Sequence, residues 1–455
     1  MPRRSCQSMR VGIVGTGYVG LVTGAGLAEM GNQVVCVDLN EDRIRNIKKG
    51  IIPFYEPGLP ELVDTNLREG RLQLTTDLQS AVENSEILFL AVGTPSNPDG
   101  TADLSAVHDV ATSIGKFMNG PKLVATKSTV PVGTANVVKG LIEAETKHEV
   151  SVVANPEFLA QGSAVKDFLQ PNRVIIGSDD EQALSLIKEL YSPFLRTGNP
   201  IITMHLASAE MTKYVSNAFL ATKISFMNEM SRLCERVGAD VESVRVGIDS
   251  DPRIGTRFMF PGVGYGGSCL PKDNRALLHM GEKHGAELPM VKAALKNNDI
   301  QRANFFTKFE KLFPEGLEGK KIGLWGLSFK PQTDDIREAP SLVVVEKMVK
   351  AGAIVSAYDP QAVNWPFEDY GSSFKRVDSS YAACEGADVL AILTEWHEFR
   401  RPNFDRLLKT LKNPWIVDGR NLYAPNRMTQ RGFLYLAMGR DNSDDFEAKS
   451  SRGAL

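Results

Sequence analysis

The chain predicts an α/β protein: two doubly wound, Rossmann-like domains joined by a long central helix and a helical middle domain. Three observations carry this. An apolar strand runs straight into a glycine turn at RVGIVGTGYVG (10–20). Further apolar strands follow, spaced by helical patterns. After a long proline-free stretch, the same plan starts again near residue 320.

Within the first element, Gly15, Gly17 and Gly20 form GxGxxG. The first glycine allows a tight turn, the second lets backbone N–H groups approach a pyrophosphate, and the third lets helix pack on strand. A second strand, QVVCVDLN, ends in Asp38. An acid there accepts hydrogen bonds from a ribose diol and repels a 2′-phosphate, so NAD is expected over NADP. The competing reading of Asp38 is a cap after a strand; Arg43 lies over an adenine or on a solvated helix face. ILFLAVGTP (87–95), KLVATKSTVPVGT (122–134), SVVANPEFL (151–159) and RVIIG (173–177) continue the alternation, as a parallel sheet. Ligands of such sheets sit at the carboxyl ends of strands, which points to Thr94, Thr129 and Glu157.

Residues 208–238 contain no proline, and apolar residues recur at threes and fours: Tyr214, Ala218, Ala221, Ile224 and Met227 form one stripe of a long helix. Lys213 and Asn217 are four apart and share a face. Periodicity leaves them open between a surface pair at the stripe's edge and a pair that bonds a substrate oxygen or a water. A long helix with apolar faces needs a partner, so a homodimer or larger homo-oligomer is expected.

FMFPGVGYGGSCLPKD (258–273) carries glycines at 262, 264, 266 and 267 and reads as a loop rather than a core element. Pro271 suits the first turn of the helix that follows. Cys269 then stands at a helix N-terminus, where the dipole and free N–H groups favour thiolate, and Lys272 adds to this. Nucleophile is favoured over small buried hydrophobe, with Asp273 close by to orient a water. The other cysteines (Cys6, Cys36, Cys234 and Cys384) read as inert.

In KKIGLWGLSFK (320–330), AIVSAYDP (353–360), ADVLAILTEW (387–396) and PWIVDGRN (414–421) the strand plan repeats without GxGxxG. Lys330 and Arg337 stand near its loop, which suits a diphosphate held by charge. The domains read as 1–207 (NAD-binding), 208–305 (helical, with the cysteine loop), 306–439 (Rossmann-like, with a candidate diphosphate site) and 440–455, a polar tail expected to be disordered.

A length of 455 residues fits two or three domains, and a net charge of −3 argues against nucleic acid or an anionic membrane as partner. Five scattered cysteines without CxxC or metal-ligand spacing fit a reducing, cytoplasmic setting and no metal site. MPRRSCQSM is basic, but no signal-type apolar region follows, and no run reaches 18 apolar residues.

Taken in order, GxGYVG, VGTP, STVPVG, NPEFL, the Lys213–Asn217 helix, GVGYGGSCLPKD, FKPQTDDIREAP and DGRN resemble the nucleotide-sugar 6-dehydrogenases across about residues 9–425. Ser268 before the cysteine resembles the branches acting on UDP-glucose or GDP-mannose rather than the N-acetylhexosamine one, and GVGYGG resembles the UDP-glucose branch; the GDP-mannose branch is the alternative. The resemblance implies two oxidations of a primary alcohol with two NAD⁺, through a thiohemiacetal and thioester on Cys269. It implies that Lys213 and Asn217 stabilise an oxyanion, and that Asp273, Thr129 and Glu157 hold water and move protons. It places Tyr18, Val19, Arg43, Thr94, Gln161, Lys272 and Arg337 at the cofactor. Phe158, Leu159, Phe260, Tyr265, Gly266, Lys330 and Arg420 fall at the substrate, and Arg253 reaches across a dimer boundary. One departure stands out: Gln161, in NPEFLAQG, replaces the family's usual Glu, so that carboxylate's role does not carry over.

Overall fold

A computed structural model describes residues 8–194, 200–363, 365–366 and 368–440. Cys6 and the expected polar tail from residue 441 lie outside the described residues. Contacts divide the chain into two units: one runs to Ser216 and takes in Arg275–Ala286, and the other comprises Asn217–Asn274 and the chain from Glu287.

The first unit is built on eight strands: β1 (Arg10–Val14), β2 (Gln33–Val37), β3 (Leu72–Thr75), β4 (Ile87–Leu90), β5 (Lys122–Thr126), β6 (Val150–Ala154), β7 (Val174–Gly177) and β8 (Ile201–Met204). Their order is β3-β2-β1-β4-β5-β6-β7-β8. The order reverses at β1 and β4, which opens a crevice at the strands' carboxyl ends. Side chains alternate across the sheet, as a strand's period of two dictates. Ile87 and Phe89 enter the core on one face with Val11 and Ile13, while Leu88 and Leu90 enter the other with Val124 and Val152.

The strands run parallel up to β6, but β7 pairs with β6 antiparallel, Ala154 opposite Gly177. This corrects the expectation that RVIIG continues the parallel plan. A parallel return needs a covering crossover, and the helix in this connection, Ala164–Leu169, has only 6 residues. β3 and β8 also escaped the sequence reading; at 4 residues each they carry too few alternations to be recognised.

In the second unit, β9 (Lys321–Trp325), β10 (Ile354–Tyr358), β11 (Phe374–Arg376), β12 (Val389–Ile392), β13 (Trp415–Asp418) and β14 (Leu434–Ala437) form an all-parallel sheet ordered β11-β10-β9-β12-β13-β14. The echo of the first unit extends to single bonds. Gly15 N–H donates to Val37 O at 2.8 Å, and Gly326 N–H to Tyr358 O at 2.8 Å. Both glycines hold positive φ, +102° and +92°.

The long helix spans Leu206–Val237. Tyr214, Ala218, Ala221 and Met227 are buried, as the stripe requires, and Ile224 is half-buried. Phe219, Phe226, Leu233 and Val237 are instead more than half exposed. Among the described residues no helix is long and apolar enough to cross a membrane.

Candidate active site

In the first unit the glycine turn is shaped by steric limits. A Cβ on Gly15 would lie 2.7 Å from Ala91 O, and one on Gly20 would lie 1.8 Å from Gly15 O. Neither position tolerates a side chain. A Cβ on Gly17 meets nothing within 4 Å. Gly17 precedes the helix Tyr18–Glu29, and no side chain caps its first turn. Free N–H donors beside open space fit a pyrophosphate.

Asp38 faces this turn. Its Oδ2 accepts from Thr16 N–H (2.9 Å), the Thr16 hydroxyl (2.8 Å) and Arg43 Nη1 (2.9 Å). Burial pushes the Asp38 carboxyl up, but the bonds from Thr16, Asn40 and Arg43 outweigh it and hold it below the ordinary carboxylate range. The next helix is capped by Asn40, not Asp38, so Asp38 braces the glycine turn instead. Tyr18 gives its hydroxyl to buried Glu56, which also accepts from Gly162 N–H (2.6 Å) and Ala164 N–H (2.7 Å). Burial, then Glu56, raises the Tyr18 hydroxyl far above its usual range. Sequence reasoning missed Glu56; its signal was an acid between Tyr55 and Pro57 in an otherwise apolar loop. It pins the turn that carries half-buried Gln161. Val19 is half-buried in the first helical turn.

At the ends of β4, β5 and β6, the Thr94 hydroxyl donates to Thr129 O at 2.9 Å. Glu157, 6% exposed, accepts Lys213 Nζ at 2.8 Å on one oxygen and Leu159 N–H at 2.5 Å on the other. Lys213 is 4% exposed, which rules out the surface-lysine reading. Its ammonium lies 5.4 Å from the Phe158 ring centre, and Arg173 stacks on that ring at 3.8 Å. Thr129 and Lys213 line one hollow with Ser128 and Glu210. Beneath, Lys127 is wholly enclosed; its Nζ donates to Asn155 Oδ1 and Tyr191 Oη, each at 3.0 Å.

In the second unit, Cys269 immediately precedes the helix Leu270–Lys283 and is exposed. Asp273 N–H donates to Cys269 O at 2.9 Å, closing the first turn. Asp273 is buried; it accepts Asn217 Nδ2 at 2.6 Å and pairs with Lys272 Nζ at 2.8 Å. Arg337 is held by Asp335 through Nε (2.9 Å) and Nη2 (2.7 Å). The bonds to Asp335 raise the Arg337 guanidinium above its ordinary value, outweighing the burial that lowers it. Gly267 N–H, two residues before the thiol, donates to Arg337 O at 2.8 Å and joins the two segments.

The glycine loop before Cys269 is not the open segment its composition predicts. Gly262 through Gly267 are buried. A Cβ on Gly266 would come within 2.3 Å of Glu338 O, and one on Gly267 within 2.8 Å of the Phe329 ring. Glycine here permits close packing of backbone on backbone. Tyr265 is buried in this loop, whereas Phe260 is 61% exposed and lies under Arg245 at 4.4 Å.

Arg420 donates to Leu393 O (2.7 Å), Phe329 O (3.1 Å) and Gly264 O (3.4 Å), and pairs with Glu395 at 3.2 Å. It fastens three loops rather than projecting outward. Lys330 lies over the Phe329 ring at 5.6 Å. Arg253 is exposed and folds back onto Asp251 at 2.6 Å. Asp359, the counterpart of Asp38, is fully buried under bonds from Leu327, Ser328 and Trp396. It has no face left for a ribose, which separates this unit's chemistry from the first.

Three successive segments match one family: residues 9–195 its NAD binding domain, 207–300 its central domain and 323–425 its UDP binding domain. The chain belongs to the UDP-glucose/GDP-mannose dehydrogenase family. It is 46% identical to a UDP-glucose 6-dehydrogenase of Pseudomonas aeruginosa, over 97% of this chain and 100% of that one. It is 43% identical to a UDP-glucose 6-dehydrogenase of Rhizobium meliloti, over 95% of this chain and 100% of that one. Among solved structures, a UDP-glucose dehydrogenase of the archaeon Pyrobaculum islandicum superposes with a TM-score of 0.87 at 34% identity, covering 97% of this chain and 99% of that one. The protein is thus an NAD-dependent dehydrogenase, and the turn at Gly15–Gly20 with Asp38 lies in its NAD binding domain. Lys330, Arg337 and Arg420 lie in the UDP binding domain, which makes a nucleotide sugar the substrate class.

Proposed function

We propose that this enzyme oxidises the primary alcohol of UDP-glucose twice, to UDP-glucuronate, with Cys269 as covalent relay. The observation that carries the reading is Cys269 itself: an exposed thiol at a helix start, on a loop bonded to Arg337 O, in a chain 46% identical over nearly its whole length to a UDP-glucose 6-dehydrogenase. A one-step alcohol oxidation has no use for such a thiol.

NAD⁺ would be held by the Gly15–Gly20 turn and Asp38 and would supply the hydride acceptor for each oxidation. The first oxidation leaves an aldehyde, with the alcohol's proton passed to a base. The Cys269 thiolate adds to the aldehyde carbon, forming a C–S bond and an oxyanion, which Lys213 and Asn217 stabilise. Loss of a second hydride turns this thiohemiacetal into a thioester. Water then attacks the acyl carbon, the C–S bond breaks, and carboxylate and thiolate are released. From the first unit, Glu157 and Thr129 serve proton and water handling; from the second, Asp273 does so. With Gln161 neutral, Glu157 and Asp273 must suffice for the hydrolysis. Counting NADH against glucuronate tests the scheme: two per product are expected, and one NADH with released aldehyde refutes it.

We further propose a homodimer formed on the exposed side of the long helix. Phe219, Phe226 and Leu233 recur every seven residues and Val237 follows, all exposed in the single chain.

A further inference from the structure

The helix Pro289–Leu312 carries a buried polar face. Asn298 and, three and four residues on, Gln301 and Arg302 are at most 8% exposed. Each is turned toward the loop that ends in Cys269. Asn298 accepts Tyr265 N–H at 2.9 Å and donates to Tyr265 O at 3.0 Å. Gln301 donates to Gly262 O at 2.8 Å and is oriented by Arg232 Nη1 at 2.7 Å. A buried glycine loop has no ladder of its own, so side chains must satisfy its backbone. Arg302 does something more. Its Nη2 donates to Tyr265 O at 2.8 Å and to Glu338 O at 3.0 Å, joining two segments far apart in sequence. Gly267 N–H adds a bond to Arg337 O at 2.8 Å on the same seam. Glu338 holds φ at +53°, a left-handed conformation costly for a residue with a side chain, so the seam is held against strain.

We infer that Arg302 is a positioning residue for the nucleophile. By tying the cysteine loop to the Arg337–Glu338 segment, it holds the Arg337 backbone against Gly267, two residues before Cys269, and through that segment sets the thiolate fraction. Lys272 and Asp273 stand on the thiol's own helix, and Asp334 and Asp335 beside Arg337. The Arg302 bonds are to backbone carbonyls, so its effect on the sulfur passes through the seam.

The inference rests on Cys269 as the nucleophile, and its test is separable from that reading. In the full-length protein, without substrate or NAD⁺, the rate of iodoacetamide alkylation of Cys269 is followed against pH by peptide mass. The wild-type midpoint is expected below the free-thiol value of about 8.5. Arg302→Leu and Arg337→Gln should each raise it by about one pH unit, and the double variant should raise it no further. An unchanged midpoint in Arg302→Leu, or an additive double variant, overturns the inference. Should Arg302→Leu fail to fold, Gly266→Ala parts the same seam, because its Cβ would press on Glu338 O. That variant should show the same rise, and an unchanged midpoint there also overturns the inference. If Cys269→Ser still releases acid, the nucleophile reading falls while these midpoints stand on their own.

Discussion

In the proposed scheme the chemistry at Cys269 depends on one atom, so replacement of that atom is the direct test. Cys269→Ser keeps the shape and replaces the thiol with a far weaker nucleophile. Acid release is expected to fall by roughly 10³-fold or more, followed as glucuronate formed. Near-normal turnover would remove Cys269 from the mechanism. Lys127 offers a test in pH. Burial is the main cause that lowers its ammonium from 10.5 to about 7; Glu157 opposes this and Lys213 adds to it. In the unfolded chain the same lysine keeps its ordinary value. Between about pH 7 and 10 the unfolded state therefore binds more protons, and stability rises with pH, by at most about 1.4 kcal/mol per unit. Below pH 7 the buried ammonium is a constant cost. Lys127→Met removes that slope while losing the bonds to Asn155 and Tyr191 at every pH. Urea midpoints by circular dichroism at pH 7, 8 and 9 should move in favour of the wild type as pH rises. A constant difference would refute the assignment.

Two glycines separate function from packing at the scale of the turn and the loop. Gly17 has open space beside it and an ordinary φ of −71°, so Gly17→Ala should leave stability within about 0.5 kcal/mol. The added methyl occupies the approach to the helix N-terminus, and NAD⁺ affinity should fall about tenfold or more by titration calorimetry. Gly266 has Glu338 O where a methyl would go, so Gly266→Ala should cost about 1–3 kcal/mol in urea unfolding. Equal behaviour of the two variants would contradict this division. Both glycines look alike in sequence, because what distinguishes them is what lies opposite.

Each unit of the molecule has its own sheet and its own cores, with clusters on both faces. The apolar stripe through Phe219, Phe226, Leu233 and Val237 belongs to none of them. A single chain would leave those side chains in water, where burying each is worth about 1.5–3 kcal/mol. Phe226→Glu with Leu233→Glu is expected to halve the mass measured by light scattering after gel filtration. An unchanged mass would place the assembly surface elsewhere.

Sequence alone determined the strand-and-glycine plan, the Asp38 position, the long helix and the exposed helix start at Cys269. Each is a local pattern: a period of two or 3.6, a turn that needs glycine, a cap. The reversal of β7 was not legible, because it depends on how much helix the connection supplies. Nor was the difference between Asp38 and Asp359, which end equivalent strands with the same letter; Trp396 and Ser328 enclose only the second. Lys213 was undecided by periodicity until Glu157, 56 residues away in the chain, was found 2.8 Å from it. Asn298 and Arg302 were missed because they bond backbone groups of remote loops, and Glu56 because it joins Tyr18 to backbone groups over a hundred residues away; a backbone group leaves no mark in the side-chain pattern. Local propensity is written along the chain; the pairing of a buried charge or a buried carbonyl exists only once distant segments have been brought together.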